Sequence, residues 1–150
     1  VSVHLETLPE IPPSWLDKAL AERWDKLRQI RSVVTGALEI ERAQKRIGSS
    51  LEAQAVIWIA DSGLIAVARD HDLAEICITS GAIIEAGIAP PGAFSLPQSP
   101  GVAVVVKAAE GRKCARSWRI TTDVGSDEDY PELSARDAAA VREIDAKRRA

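Results

Sequence analysis

The stretch GRKCARSWR, residues 111–119, has the spacing of half a zinc knuckle but contains only one cysteine. Structural zinc is usually held by two Cys-x-x-Cys pairs, because both side chains of a tight turn must converge on one ion. Cys114 and Ser117 occupy the first such frame, and Ser134 and Asp137 occupy a plausible second one. A serine hydroxyl is a poor zinc ligand, so we predict that no structural zinc is bound.

A helix cap explains the second frame better than a metal site does. Ser134 and Asp137 have the form Ser-x-x-Asp directly before an alanine-rich stretch. We expect the Ser134 hydroxyl to accept the amide of Asp137, while the carboxylate bonds back and complements the helix dipole. Such a cap contributes about 1 kcal/mol, far less than a zinc ion, so packing of Trp118 and of the tail helix must supply the rest.

Basic residues interleave with a tryptophan around the same cysteine. Cations neutralise phosphates, and an indole or guanidinium plane stacks on an unpaired base, so this pattern indicates a surface for single-stranded RNA. The alternative is a solvated group of charges around a buried Trp118, and composition alone favours it. The residues concerned are Lys107, Arg112, Lys113, Arg116, Trp118 and Arg119.

Residues suited to catalysis are sparse. The glycines are scattered at turns, and no phosphate-binding glycine loop occurs. His71 could pair with Asp72 or Cys114 as base and nucleophile, but a surface or structural role is the stronger expectation for each. The acidic stretch SDED, residues 126–129, is expected to be a hydrated loop. We therefore predict no catalytic residue in this chain.

Bulk composition bounds the class of protein. The chain has 150 residues, 46% of them hydrophobic, and a net charge of −3, which suits one compact domain or two small ones. The net charge argues against a protein that coats nucleic acid over its whole surface, but it allows a local basic patch. No apolar run could span a membrane, no leader is recognisable, and Cys77 is expected to be a buried free thiol, so we expect a cytoplasmic location. Because the chain lacks methionine, we expect a fragment of a longer protein.

A long helix is predicted before the knuckle. Ser14 is expected to cap it, Gly36 to weaken its middle, and Gly48 to end it after a basic last turn. At roughly 50 Å it needs partner helices, which we expect upstream. Its apolar face, with steps of three and four residues, comprises Leu16, Leu20, Trp24, Leu27, Ile30, Val34, Leu38 and Ile47.

The following segments predict a small sheet with helical packing. LEAQAVIWIAD, AEICITSGAIIEAG and GVAVVVKAAEG are predicted strands, LIAVARD a short helix, and IAPPGAFSLPQSPG a loop. SARDAAAVREIDAKRR is predicted to be a terminal helix, preceded by an acidic loop. The predicted fold class is therefore α+β.

Three stretches, SVHLETLPE, RSVVTGALEIERAQKRIGSSLEA and AEGRKCARSWR, resemble in order and separation the C-terminal region of bacterial isoleucyl-tRNA synthetases. The resemblance implies that residues 1–47 end an anticodon-binding helical bundle. It implies a small α/β junction domain over residues 48–106 and a zinc-knuckle-like tail over residues 107–150. The family pattern has Cys-x-x-Cys twice, whereas this chain keeps only Cys114, so we expect the family's zinc to be lost.

The resemblance also implies partners and site residues. We expect the chain to bind the anticodon stem-loop of isoleucine tRNA and the upstream domains of the same synthetase, as a monomer without a membrane partner. The ATP-binding signature motifs of class I synthetases are absent here, so ATP and Mg²⁺ would belong to the parent enzyme, and the fragment would be non-catalytic. The alternative is a free-standing structural or protein-interaction module without RNA binding. The expected tRNA-binding residues are Arg116, Trp118, Arg119, Lys113, Arg112, Lys45 and Arg46.

Overall fold

The computed structural model describes residues 2–7 and 9–149, so the predicted domain limits at residues 1 and 150, and Leu8 of the first family-like stretch, lie outside the described residues. The fold is mixed α+β, as predicted. In chain order the elements are 3₁₀ turns Val3–Leu5 and Pro13–Trp15, helix α1 Lys18–Ala43, 3₁₀ turn Ser50–Glu52, strand β1 Ala53–Ile59, helices α2 Ser62–Arg69 and α3 Leu73–Cys77, strands β2 Gly81–Ala86, β3 Phe94–Ser95, β4 Val102–Ala108, β5 Arg112–Lys113 and β6 Ile120–Thr121, and helix α4 Ala135–Arg149.

Helix α1 starts later and ends earlier than the sequence predicts. Asp17 caps it, because its carboxylate accepts the amide of Leu20 at 2.9 Å. The predicted cap at Ser14 is wrong, since that residue lies in a 3₁₀ turn. The helix ends at Ala43, and Lys45 has a left-handed φ of 57°, so the basic residues that follow lie in a turn.

The predicted apolar face of α1 is buried from Leu27 onward and partly exposed before it. Leu27, Ile30 and Val34 are fully buried where the helix packs across β3 and β4. Leu20 and Trp24, in the first half, are 46% and 38% exposed. The buried part of α1 packs on strands β3 and β4 and on helices α2 and α3, and upstream partner helices stay a prediction for its exposed start.

Gly36 brings α1 close to that sheet. A Cβ atom at this position would lie 2.6 Å from the ring of Phe94, which is closer than any side chain tolerates. The glycine predicted to weaken the helix therefore permits its packing against β3.

Four strands form the main sheet in the order β2-β1-β4-β3. β1 is parallel to β2 and antiparallel to β4, and Ile57 stands opposite Val104. The inward residues of β1 and β4 form one core with α1, α2 and α3. The predicted strands LEAQAVIWIAD and GVAVVVKAAEG are confirmed as β1 and β4, because apolar residues dominate a central strand.

The remaining strand predictions need correction. In AEICITSGAIIEAG, Asp72 caps α3 through its carboxylate, so Leu73–Cys77 is helical. Ile78 then takes a left-handed φ of 57°, and the strand begins only at Gly81. The predicted loop IAPPGAFSLPQSPG contains the short strand β3, which pairs with β4 while its phenylalanine packs against the core.

The end of the chain is a hairpin of β5 and β6, an acidic loop and helix α4, which confirms the predicted terminal helix. Within residues 2–7 and 9–149, no helix has both the length and the apolar composition that a membrane span requires.

Candidate nucleic-acid interface

The hairpin around Cys114, residues 112–121, forms a tight turn that we call the knuckle. Lys113 on β5 stands opposite Ile120 on β6. The Cys114 amide donates to the Arg119 carbonyl at 2.8 Å, and the Trp118 amide donates to the Cys114 carbonyl at 2.9 Å. These bonds close a turn at residues 115–118 and leave most of its side chains exposed.

The two zinc-like frames meet beneath the knuckle, where Cys114, Ser117, Ser134 and Asp137 form what we call the anchor cluster. The Cys114 thiol donates to Asp137 Oδ2 at 3.2 Å, and the Ser134 hydroxyl donates to the same oxygen at 2.9 Å. The Ser134 amide donates to Cys114 Sγ at 3.4 Å. The Ser117 hydroxyl is buried beside them without a partner of normal hydrogen-bond geometry in the described chain.

Arg116 balances the charge of this cluster. Its Nη1 donates to Asp137 Oδ1 at 2.7 Å, and the Arg116 side chain is 46% exposed while that of Asp137 is 1% exposed. Arg136 lies further off, with Nη2 at 3.9 Å from the same oxygen. A buried carboxylate is tolerated only when donors and a countercharge satisfy it, and the knuckle supplies both.

The two ionisable groups of the anchor cluster have shifted pKa values. Burial raises the pKa of Asp137, but the neighbouring Ser117 hydroxyl and the hydrogen bonds from Cys114, Ser134 and Arg116 outweigh burial, so the pKa lies well below its ordinary value. Burial likewise raises the pKa of Cys114, but the neighbouring Ser117 hydroxyl and nearby backbone amides outweigh it, so that pKa is also lowered. Because an ionised carboxylate lies 3.2 Å from the sulfur, the thiol keeps its proton and acts as the donor.

The anchor cluster does not fit a structural zinc ion. Within the ranges 2–7 and 9–149, no three or more His, Cys, Asp or Glu side chains are grouped to hold a metal ion. The cluster offers one thiol and one carboxylate, and these are hydrogen-bonded to each other. Structural zinc sites use four ligands, nearly always thiolates and imidazoles. The residues at the four frame positions therefore make a hydrogen-bonded cluster in place of a coordination shell.

The predicted cap of α4 is half correct. The Asp137 amide donates to Ser134 Oγ at 3.3 Å, as predicted. The return bond from the Asp137 carboxylate to the Ser134 amide is wrong, because that amide donates to Cys114 Sγ. The carboxylate instead faces the knuckle, where Cys114 and Arg116 bind it.

Trp118 lies on the outer side of the knuckle. It is 63% exposed, which excludes the alternative of a core residue and the expectation that its packing replaces a metal. Its φ of 63° is in the left-handed region, which is strained for a bulky residue. Lys113 Nζ lies 5.3 Å from the ring centroid, within cation–π range. The fold thus presents a large flat ring beside a cation.

Arg119, predicted to hold a phosphate, faces the main sheet. Its side chain is 23% exposed, its Nη2 donates to the Ser80 carbonyl at 3.1 Å, and its Nη1 lies 3.9 Å from Glu75. The Ser80 hydroxyl accepts the Ile120 amide at 2.7 Å and donates to the Leu51 carbonyl. These contacts tie the knuckle to the sheet. Sequence reasoning missed Ser80 and Glu75, since nothing near them in sequence signals a partner about forty residues away.

The other cations predicted to bind tRNA, Arg112, Lys45 and Arg46, do not form one close group. Arg112 is exposed on β5, next to Lys113. Arg46 is paired with Glu41, with Nη2 at 2.6 Å from Oε1, and Lys45 is exposed in the turn after α1. In the part of the chain that the structure describes, no hydrogen bond or ion pair joins Lys45 or Arg46 to the knuckle.

The candidate catalytic pairs have structural roles. His71 Nδ1 lies 2.9 Å from the Val67 carbonyl, and its ring packs edge-on against Trp24. Asp72 caps α3, so it does not orient the imidazole. Burial raises the pKa of Cys77 to about 11, so this thiol is protonated near neutral pH.

Sequence comparisons identify relatives of the chain, although no protein-family profile matches it. The chain is 58% identical over 146 residues to isoleucine–tRNA ligase of Brucella abortus, 58% over 143 residues to that of Agrobacterium fabrum, and 59% over 149 residues to that of Mesorhizobium japonicum. These matches cover 97%, 95% and 97% of this chain. The chain spans about 15% of the length of each of these curated relatives. The family resemblance is thereby confirmed, and the chain matches one segment of the bacterial isoleucine–tRNA ligases.

Proposed function

We propose that this chain is the non-catalytic, tRNA-binding segment of an isoleucine–tRNA ligase and that it recognises the anticodon region of isoleucine tRNA. Such a segment supports ATP-dependent aminoacylation by holding the substrate in place, not by making bonds. ATP and Mg²⁺ would act elsewhere in the longer enzyme, since no phosphate-binding glycine loop occurs in this sequence. The proposed setting is the cytoplasm, where tRNA is charged, and the proposed state is a monomer.

The exposed indole of Trp118 is the observation that carries this proposal. A ring that is 63% exposed and held in a strained backbone conformation gains little from the fold around it. A flat ring stacks on an unpaired base for about 1–3 kcal/mol. Anticodon bases are unpaired in a hairpin loop, which is the kind of RNA that proteins read by stacking.

Cations beside Trp118 provide the contacts to phosphate. Lys113 and Arg112 are exposed on the knuckle, so each is able to neutralise backbone charge. Arg116 is also partly exposed, but one of its nitrogens is already bonded to Asp137. Arg119 takes part indirectly, because its guanidinium holds the knuckle on the sheet. We also propose tRNA contacts for Lys45 and Arg46. The contribution of Arg46 is smaller, since its charge is already paired with Glu41.

We propose that residues 1–47 complete a helical bundle, that residues 48–106 form a junction, and that residues 107–150 present the knuckle. The exposed apolar side chains before and at the start of α1 favour this division. Trp15 and Leu16, just before the helix, are 74% and 71% exposed. Preceding helices of the longer enzyme would cover them.

The same exposed side chains favour a second candidate, a protein-interaction module that does not bind RNA. In that case Trp15 and Leu16 would be the contact residues, and the knuckle would have a purely structural role. The two candidate functions predict different effects of replacing Trp118 on tRNA binding.

The deciding experiment replaces Trp118 in the full-length protein that contains this chain. Trp118→Ala is expected to raise the KM for isoleucine tRNA about tenfold, with kcat nearly unchanged and stability within about 1 kcal/mol, because the ring is exposed. Trp118→Phe keeps a stacking face and should retain most of the affinity. Ile88→Ala, at a side chain 94% exposed, is the matched surface control. An unchanged KM in Trp118→Ala would contradict RNA binding by the knuckle and favour the second candidate.

A further inference from the structure

We infer that the Asp137 carboxylate does at this knuckle what a metal ion does in a zinc knuckle: it joins the knuckle to α4 and holds Arg116 in position. Arg116 is then held in its binding position before RNA arrives, and Asp137 is the residue that positions it. The statement about RNA rests on the proposed function, whereas the statement about the anchor stands on the contacts within the chain.

Asp137 forms hydrogen bonds both to the knuckle and to the start of α4, which are the two segments that a metal ion would bridge. From the knuckle, Cys114 donates to Oδ2 and Arg116 donates to Oδ1. From the start of α4, the Ser134 hydroxyl donates to Oδ2. One side chain with 1% exposure therefore connects two segments that are far apart in sequence.

The polarity of the centre is the reverse of that in a metal site. A metal ion is positive and gathers thiolates, whereas this centre is negative and gathers a thiol, a hydroxyl and a guanidinium. The cluster therefore needs a cation from the protein, and Arg116 is the residue at hydrogen-bonding distance. The arginine beside the carboxylate therefore has an explanation that needs no metal, because it neutralises Asp137.

The geometry leaves Arg116 able to bind RNA while it is held. A guanidinium has five N–H donors, and the bond to Asp137 Oδ1 uses one nitrogen, Nη1. The side chain is still 46% exposed, so part of it remains accessible to a phosphate. An arginine that is already ordered loses less rotamer freedom when it binds phosphate.

A double-mutant cycle in the full-length protein tests this inference through stability. Arg116→Ala is expected to lower the unfolding midpoint of the segment, because it leaves a buried carboxylate without its cation. Adding Asp137→Asn should restore part of the midpoint, because the unpaired charge is then removed. Asparagine also keeps one oxygen that can accept from Cys114 and Ser134, so the fold is expected to survive. Glu143→Gln, on the exposed face of the same helix, is the control and should have no effect in either background.

The same cycle read through tRNA kinetics tests the positioning role. Arg116→Ala is expected to raise the KM for isoleucine tRNA about tenfold. Asp137→Asn alone should also raise KM, because the arginine is released, and should add nothing in the Arg116→Ala background. Effects that multiply in the double variant would overturn the positioning role, since a merely structural residue acts independently of Arg116.

The two readouts separate failure of the inference from failure of the proposed function. If Asp137→Asn gives no recovery of stability in Arg116→Ala, the anchor is wrong. If stability recovers but Arg116→Ala leaves KM unchanged, the anchor is upheld, and the proposed RNA contact of Arg116 is refuted. Stoichiometric zinc in the wild-type protein that disappears in Asp137→Asn would overturn the inference directly, because the carboxylate would then be a ligand.

Discussion

Ser80→Ala is expected to loosen the knuckle from the main sheet. The Ser80 hydroxyl accepts the Ile120 amide at 2.7 Å and donates to the Leu51 carbonyl, so the substitution leaves two backbone groups without a partner. A buried group without its partner costs about 1–3 kcal/mol. Ile120 and Leu51 are half-buried, so water reaches them in part and the lower value applies to each. The sum is about 2 kcal/mol, or roughly 4–8 °C in Tm for a domain of this size.

Thermal unfolding of Ser80→Ala, together with amide hydrogen exchange, measures this effect. Protection of the Ile120 amide should fall most, whereas protection in β1 should follow global stability only. Ser126→Ala is the matched control, because Ser126 is exposed in the acidic loop. If Ser80→Ala changes Tm as little as Ser126→Ala does, the tie between sheet and knuckle contributes nothing, and the reasoning is refuted.

Three further predictions concern metal, backbone and catalysis. Elemental analysis of protein purified without chelators should find well under one zinc per chain, and a chelator should leave Tm unchanged, because the anchor cluster lacks four ligands. Gly111→Ala should lower the free energy of unfolding by well over the ~1–2 kcal/mol of a left-handed alanine, because its Cβ would lie 2.3 Å from the Thr121 carbonyl carbon and oxygen. Gly92→Ala is the control, since Gly92 is also at positive φ but has no neighbour within 4 Å, and thermal unfolding should show a loss of only ~1–2 kcal/mol. The chain expressed alone should show no isoleucine-dependent pyrophosphate exchange above background, and exchange at a ligase-like rate would disprove its non-catalytic role.

The helix boundaries show what a local sequence pattern can and cannot predict. The apolar periodicity predicts α1 correctly, but the predicted start at Ser14 is wrong, because Ser14 and Asp17 are both good caps and only Asp17 is used. Likewise AEIC is apolar enough for a strand, and the Asp72 cap made it helical. Such choices between two locally acceptable structures depend on packing that the sequence does not display.

The candidate site likewise has some features that the sequence predicts and others that it does not. The sequence pairs Cys114 with Ser117 and Ser134 with Asp137 and predicts a helix cap for the second pair, but it does not predict that the two pairs meet at the Asp137 carboxylate. The exposure of Trp118 was not predictable, because a tryptophan among charges is compatible with a core or a surface position. The structure decided this by placing the residue at φ 63° on the outer side of the turn.

The sequence by itself determined the fold class, the terminal helix with Ser134 at its cap, and the family resemblance. These depend on residue types and on spacings within a few turns of chain. Only the tertiary structure decided that Asp137 would bind Arg116 and Cys114, 21 and 23 residues away, and that Arg119 would face Ser80, 39 residues away. A charged side chain bonds to whichever donor or acceptor the folded backbone brings within about 3 Å, and the paths of distant segments set that distance.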